Sequence, residues 1–134
     1  MRLCVVIPAY NAEETVGDVV AGAKRYIQDV IVIDDGSKDN TSAAAEAAGA
    51  VVIKQSENLG KGDALKTGFR YAIENNCDAV ITIDADGQHY PDEMPKLIEK
   101  YKEGKHQIIV GSRMHDRSCM PKYISRSNIV CFVL

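Results

Sequence analysis

Two carboxylates stand two residues apart where an apolar run gives out. In Ala79-Val80-Ile81-Thr82-Ile83-Asp84-Ala85-Asp86-Gly87-Gln88-His89 the first half is apolar and β-branched, the composition of a buried strand. Side chains at i and i+2 of an extended segment point the same way. Asp84 and Asp86 can therefore converge on one cation just beyond the strand, and Gln88 adds a neutral oxygen. All-oxygen ligation suits Mg²⁺ or Mn²⁺, ions that commonly serve phosphate groups. The same residues also read as a plain strand-end turn, in which Asp and Gly supply turn chemistry.

Other clusters bear on the choice. Asp34-Asp35-Gly36-Ser37 offers carboxylates that can accept hydrogen bonds from a base or ribose, or can form a type I turn with an Asx cap. Tyr10 can lie along a nucleobase or stand as a surface aromatic. Lys61 falls at a helix start, where backbone N–H groups favour anions. Its loop, Asn58-Leu59-Gly60-Lys61-Gly62, lacks P-loop spacing, and no Gly-x-Gly-x-x-Gly follows the first apolar run. Both P-loop and dinucleotide dehydrogenase chemistry are thereby disfavoured. Arg113 follows a later apolar run, near where a metal-bound diphosphate would lie, and a guanidinium binds phosphate oxygens bidentately. Arg117 reads as a solvated charge. His89, His106 and His115 do not have zinc spacing.

The elements that position these residues follow from the apolar runs. Residues 2–7, 29–33, 50–53, 77–83 and 107–110 read as strands, the first ended by Pro8, whose missing N–H removes a ladder donor. Between them, helices are expected over about 15–26, 41–48, 63–74 and 91–103, with Gly49 as a C′ residue and Pro91 in a first turn. Solid apolar strands alternating with helices imply a three-layer α/β/α domain around a mainly parallel sheet, built of right-handed βαβ units. Ligands of such sheets bind at the carboxyl ends of the strands. The clusters at residues 8–13, 34–37, 84–88 and 111–113 all fall there, which favours a functional reading of them.

The 134 residues suit a single domain, 1–134, and 46% hydrophobic with 26% charged residues is an ordinary globular composition. A net charge of −3 without a basic block argues against a nucleic-acid partner. Cys4, Cys77, Cys119 and Cys131 form no Cys-x-x-Cys pair, so a reducing, cytoplasmic setting without disulfides is expected. No apolar run reaches the roughly 18 residues of a membrane-crossing helix, and no signal peptide is evident. Residues 128–134 are apolar with no stop signal after them. They read either as a last element docked on the core or as the point where a longer, membrane-associated protein is cut.

Pro8-Ala9-Tyr10-Asn11-Ala12-Glu13, Ile33-Asp34-Asp35-Gly36-Ser37, Asn58-Leu59-Gly60-Lys61-Gly62, Asp84-Ala85-Asp86-Gly87-Gln88-His89 and Gly111-Ser112-Arg113 together resemble the successive motifs of family 2 glycosyltransferases. The branch they resemble most is that of the dolichyl- and polyprenyl-phosphate mannosyl- and glucosyltransferases, and Met120-Pro121 with Arg126 resembles it more loosely. The resemblance implies a GT-A, Rossmann-like fold and inverting transfer of a sugar from a nucleotide-diphosphate sugar, GDP-mannose or a UDP-sugar. It further implies that Pro8, Ala9, Tyr10, Glu13, Ile33, Asp35 and Lys61 bind the sugar nucleotide, with Asp84, Ala85 and Asp86 spanning ribose, diphosphate and metal. Asp84, Asp86 and Gln88 would ligate Mg²⁺ or Mn²⁺. Asp86, Arg113 and Arg126 would act in catalysis, the arginines facing the diphosphate and the acceptor phosphate. The acceptor expected is a lipid phosphate, with association at the cytoplasmic membrane face.

A lipid phosphate is already an anion and needs no general base, whereas a saccharide hydroxyl does. After Arg113 the chain offers Asp116 alone as a carboxylate, a poor candidate. That gap fits a phosphate acceptor and equally fits truncation. Transfer to a saccharide hydroxyl, and sugar-nucleotide binding without turnover, remain as alternatives. A phosphatase of the haloacid-dehalogenase type would carry its Asp-x-Asp on the first strand followed by Thr, not on the fourth followed by Gln88. A nucleotidyltransferase would carry a Gly-rich basic loop where Pro8 to Glu13 stand.

Overall fold

The computed structural model describes residues 1–87, 91–111 and 129–134. Strands β1 (Leu3–Ala9), β2 (Asp29–Asp34), β3 (Val51–Lys54) and β4 (Ala79–Thr82) are mutually parallel. Among the described residues, β5 (Ile108–Gly111) and β6 (Ile129–Val133) bring the sheet to six strands in the order β3-β2-β1-β4-β6-β5. β6 is antiparallel to both its neighbours, so β5 points the same way as β4 and the sheet is mainly parallel, as expected. Residues 129–133, the apolar run with two readings, thus dock as a strand in the body of the sheet.

The helices are α1 (Val16–Lys24), α2 (Thr41–Ala47), α3 (Lys61–Glu74) and α4 (Met94–Lys102), the last led by a 3₁₀ turn at Pro91–Glu93. Alternation along the strands divides the core. Val5, Ile7, Val30, Val32 and Ile81 pack under α1, α2 and α4 through Val16, Val20, Ala45, Met94 and Leu97. Cys4, Val6, Ile31, Ile33 and Val80 face α3 through Ala64 and Ala72. This is the three-layer arrangement that fully apolar strands require. Cys4, Cys77 and Cys131 are buried free thiols, and burial pushes the Cys131 thiol up to about 11.

Most boundaries shift by a residue or two from expectation, and two of the shifts have a clear cause. β1 does not end at Pro8 but runs to Ala9, in register with Asp34 of β2. Val6 O accepts the Ile83 N–H at 3.2 Å, so Val6, and with it Pro8 two residues on, turns its backbone groups toward β4. The ladder to β4 ends at Val6 and Thr82, so the proline's missing donor falls where there is nothing to pair. α3 starts at Lys61 rather than near Asp63, because Gly60, at φ 97° and ψ 161°, takes an extended positive-φ conformation open to glycine and lets the helix begin at once.

Candidate functional site

In sequence, β1, β2 and β3 step one way across the sheet, and β4 returns to the other side of β1. The loops leaving β1 and β4 therefore diverge and leave a crevice at their carboxyl ends. A cavity of about 440 Å³ occupies it, lined by Pro8 to Ala12, Thr15, Asp35, Lys61, Ala64 and Asp84 to Asp86.

One wall is the loop after β1, bolted to the loop after β2. Asn11 holds a left-handed conformation at φ 48°. Its N–H donates to Ser37 Oγ at 2.8 Å, and its Oδ1 accepts the Lys38 N–H at 3.0 Å. The Ala12 N–H donates to Thr41 Oγ1 at 2.8 Å, the Glu13 N–H to Asp39 Oδ2 at 3.2 Å, and the Asn40 N–H to Glu13 Oε2 at 3.0 Å. The Thr41 hydroxyl holds the Asp39 carboxyl below its ordinary range against the opposing pull of desolvation, and the N–H groups of Glu13 and Thr41 add to the lowering.

The two aspartates ending β2 are both buried, and the chain itself satisfies them. Asp34 Oδ1 accepts the Ser37 N–H at 2.8 Å, and Oδ2 accepts the Ser42 hydroxyl. Asp35 Oδ1 and Oδ2 accept the N–H groups of Leu59 and Gly60 at 2.8 and 2.9 Å. Asp35 thereby clamps the loop that delivers Lys61. Gly36 is required beneath that loop: its φ is +73°, and a Cβ there would lie 2.6 Å from Asn58 N.

The opposite wall is the turn after β4. Asp84 is partly buried and Asp86 exposed, with Ala85 buried between them. Lys61 Nζ reaches across the cavity to Asp84 Oδ1 at 2.5 Å. The Thr15 hydroxyl donates to Ala85 O at 2.5 Å, tying this turn to the start of α1.

Of the residues singled out from sequence, the cavity brings together Pro8, Ala9, Tyr10, Asp35, Lys61, Asp84, Ala85 and Asp86. Ile33 is fully buried on the α3 face, and Glu13 sits outside the lining with its carboxylate on Asn40. Gln88, Arg113 and Arg126 lie outside the described residues, as do His89, Asp116 and Met120-Pro121. Among the described residues no group of three metal-ligating side chains occurs, and no helix is long and apolar enough to cross a membrane. Thr15 and Ala64 were not singled out. Thr15 precedes an apolar-periodic stretch, which in sequence signals a helix cap and nothing more.

Comparison with known proteins gives a consistent picture. The family model described as glycosyl transferase family 2 matches residues 4–132. The UDP-N-acetylglucosamine–dolichyl-phosphate N-acetylglucosaminyltransferase of Methanococcus voltae is 34% identical over 128 residues, covering 82% of this chain and 51% of that protein. The undecaprenyl-phosphate mannosyltransferase of Micrococcus luteus is 32% identical, covering 84% and 49%. Among solved structures, glucosyl-3-phosphoglycerate synthase from Mycobacterium tuberculosis, in complex with Mn²⁺, UDP and glucosyl-3-phosphoglycerate, superposes with a TM-score of 0.67 at 30% identity, covering 80% of this chain and 42% of that one. The chain spans about half the length of the curated relatives it matches.

Proposed function

The chain belongs to glycosyl transferase family 2, and on that footing we propose that residues 1–134 form one donor-binding domain of an inverting glycosyltransferase. Its donor is a nucleotide-diphosphate sugar, GDP-mannose or a UDP-sugar, and its acceptor a dolichyl or polyprenyl phosphate. The observation that carries this reading is the meeting of the Pro8 to Ala12 loop, Lys61 and the Asp84-Ala85-Asp86 turn around one cavity. A nucleoside needs a rigid, partly apolar wall, which the loop after β1 supplies with Tyr10 exposed on it. A diphosphate needs positive charge, which Lys61 brings. The acceptor follows the relatives of Methanococcus voltae and Micrococcus luteus, whose names carry polyprenyl-type phosphates. Such an acceptor brings the domain to the cytoplasmic face of a membrane.

The residues present fit a divalent ion. Asp84 and Asp86 border the same cavity, and an ammonium already stands 2.5 Å from Asp84 Oδ1, so this wall attracts positive charge. Mg²⁺ and Mn²⁺ are commonly held by one or two carboxylates completed by water and phosphate oxygens, and Gln88 would add an oxygen. Bound there, the ion supplies charge neutralisation for the departing diphosphate. The chain's own residues do the rest. Lys61 exchanges Asp84 for a phosphate oxygen when donor arrives. Arg113 and Arg126 are assigned to the diphosphate and the acceptor phosphate. An acceptor phosphate oxygen attacks the anomeric carbon as the bond from that carbon to the diphosphate oxygen breaks, through an oxocarbenium-like state. No side chain has to take a proton.

Calorimetric titration with GDP-mannose, UDP-glucose and UDP-N-acetylglucosamine, in Mn²⁺ and in chelator, tests the donor half. Metal-dependent binding of one of them is expected, and transfer from that donor to a polyprenyl phosphate in detergent then tests the acceptor. Binding equal in Mn²⁺ and in chelator contradicts the metal reading.

A further inference from the structure

Thr15 occupies the N-cap of α1, where a threonine hydroxyl ordinarily accepts a first-turn N–H of its own helix. It makes no such bond. Its hydroxyl instead donates to Ala85 O at 2.5 Å, across 70 residues of sequence, and stands 3.5 Å from Ala12 O. Ala85 lies between Asp84 and Asp86, and its own side chain is buried in the core under α1. The Ala85 carbonyl belongs to the planar peptide whose N–H is that of Asp86. Fixing that oxygen fixes the plane about which the Asp86 side chain is aimed. The turn continues through Gly87, at φ +76°, where a Cβ would lie 3.9 Å from Thr15 Cγ2, so Thr15 stands beside this backbone as well.

We propose that Thr15 is a positioning residue, whose hydroxyl locks the Ala85–Asp86 peptide so that Asp84 and Asp86 present their carboxylates together to a divalent cation. This rests on the reading of those two aspartates as the cation side of the site. Groups that orient metal ligands commonly weaken affinity by about 10–100-fold when removed.

The test uses Thr15→Val, which keeps the β-branched shape without the hydroxyl, and Thr15→Ser, which keeps the hydroxyl. Mn²⁺ alone is titrated and followed by electron paramagnetic resonance, and amide hydrogen exchange is read at Asp86 and Gly87. Thr15→Val is expected to lower Mn²⁺ affinity about tenfold or more and to speed exchange at Asp86, while exchange in β1 and β2 stays unchanged. Thr15→Ser is expected to restore both. Wild-type Mn²⁺ affinity and wild-type exchange at Asp86 in Thr15→Val would overturn the proposal. So would a Thr15→Ser variant as impaired as Thr15→Val, since only the packing of the methyl would then matter. If the wild-type chain binds no Mn²⁺, the cation reading falls by itself, and unaltered Asp86 exchange in Thr15→Val still overturns the lock.

Discussion

A pair of aspartates stands at the carboxyl end of β2 and another just past that of β4, and their surroundings give them different work. At the end of β2, Asp34 and Asp35 are buried, and each of their four carboxylate oxygens meets a donor of the chain, three N–H groups and one hydroxyl. At the end of β4, Asp84 and Asp86 border an open cavity, and Asp84 meets the ammonium of a lysine that is itself 60% exposed. Backbone N–H groups cannot leave, so the first pair holds two loops in place, and Asp35 does so while lining the cavity. A lysine side chain on a flexible stem can leave, so Asp84 can exchange it for a ligand. The residue type is the same at both places, and the mobility of the partner separates the roles.

Substitutions should split along that line. Asp86→Ala should have the largest functional effect, removing metal-dependent nucleotide binding in calorimetry while the unfolding free energy stays within about 0.5 kcal/mol, as for other exposed sites. Asp34→Ala should do the reverse. It leaves the Ser37 N–H and the Ser42 hydroxyl without their buried acceptor, at a cost of about 2–3 kcal/mol in urea denaturation. If Asp34→Ala unfolds like wild type, the scaffolding account of β2 fails.

Gly36→Ala should sharpen the comparison, because it disturbs the loop that joins the two regions. The positive φ and the closeness of Asn58 should destabilise the protein by about 1–3 kcal/mol. Nucleotide affinity should fall with it, through displacement of Lys61. The smallest effect concerns Asp39. Its carboxyl is held low in the folded chain, so on acidification the unfolded chain binds the proton first. Stability should therefore drop as pH falls below about 4, and Asp39→Asn should show a flatter fall of the thermal midpoint between about pH 5 and 3.

Much of the sheet was legible because its strands are unbroken apolar runs, and the four parallel ones appear where those runs stand. The place of β6 was not. An apolar run of five residues carries no sign of direction, and nothing in it says that it will enter between β4 and β5 rather than at an edge. Pro8 was misjudged as a terminator because a missing N–H matters only on the side where a partner strand continues. At the site, the Asp-x-Asp spacing was legible from strand geometry, and Lys61 from its helix start. The engagement of Asp35 was not, since its partners are backbone groups 24 and 25 residues away that any sequence would possess. The bond from Thr15 to Ala85 O is hidden for the same reason, a side chain reading a carbonyl that carries no residue identity.

The measurement that bears most directly on the difference between the two aspartate pairs is paramagnetic broadening of amide signals by Mn²⁺ in the presence of UDP or GDP. The account predicts the strongest broadening at Ala85 and Asp86, weaker broadening at Asp35 and Gly36 across the cavity, and none at Gly49 or Asn75 by the amino ends of the strands. Broadening centred on Asp34 and Asp35, or spread evenly over the chain, would contradict it.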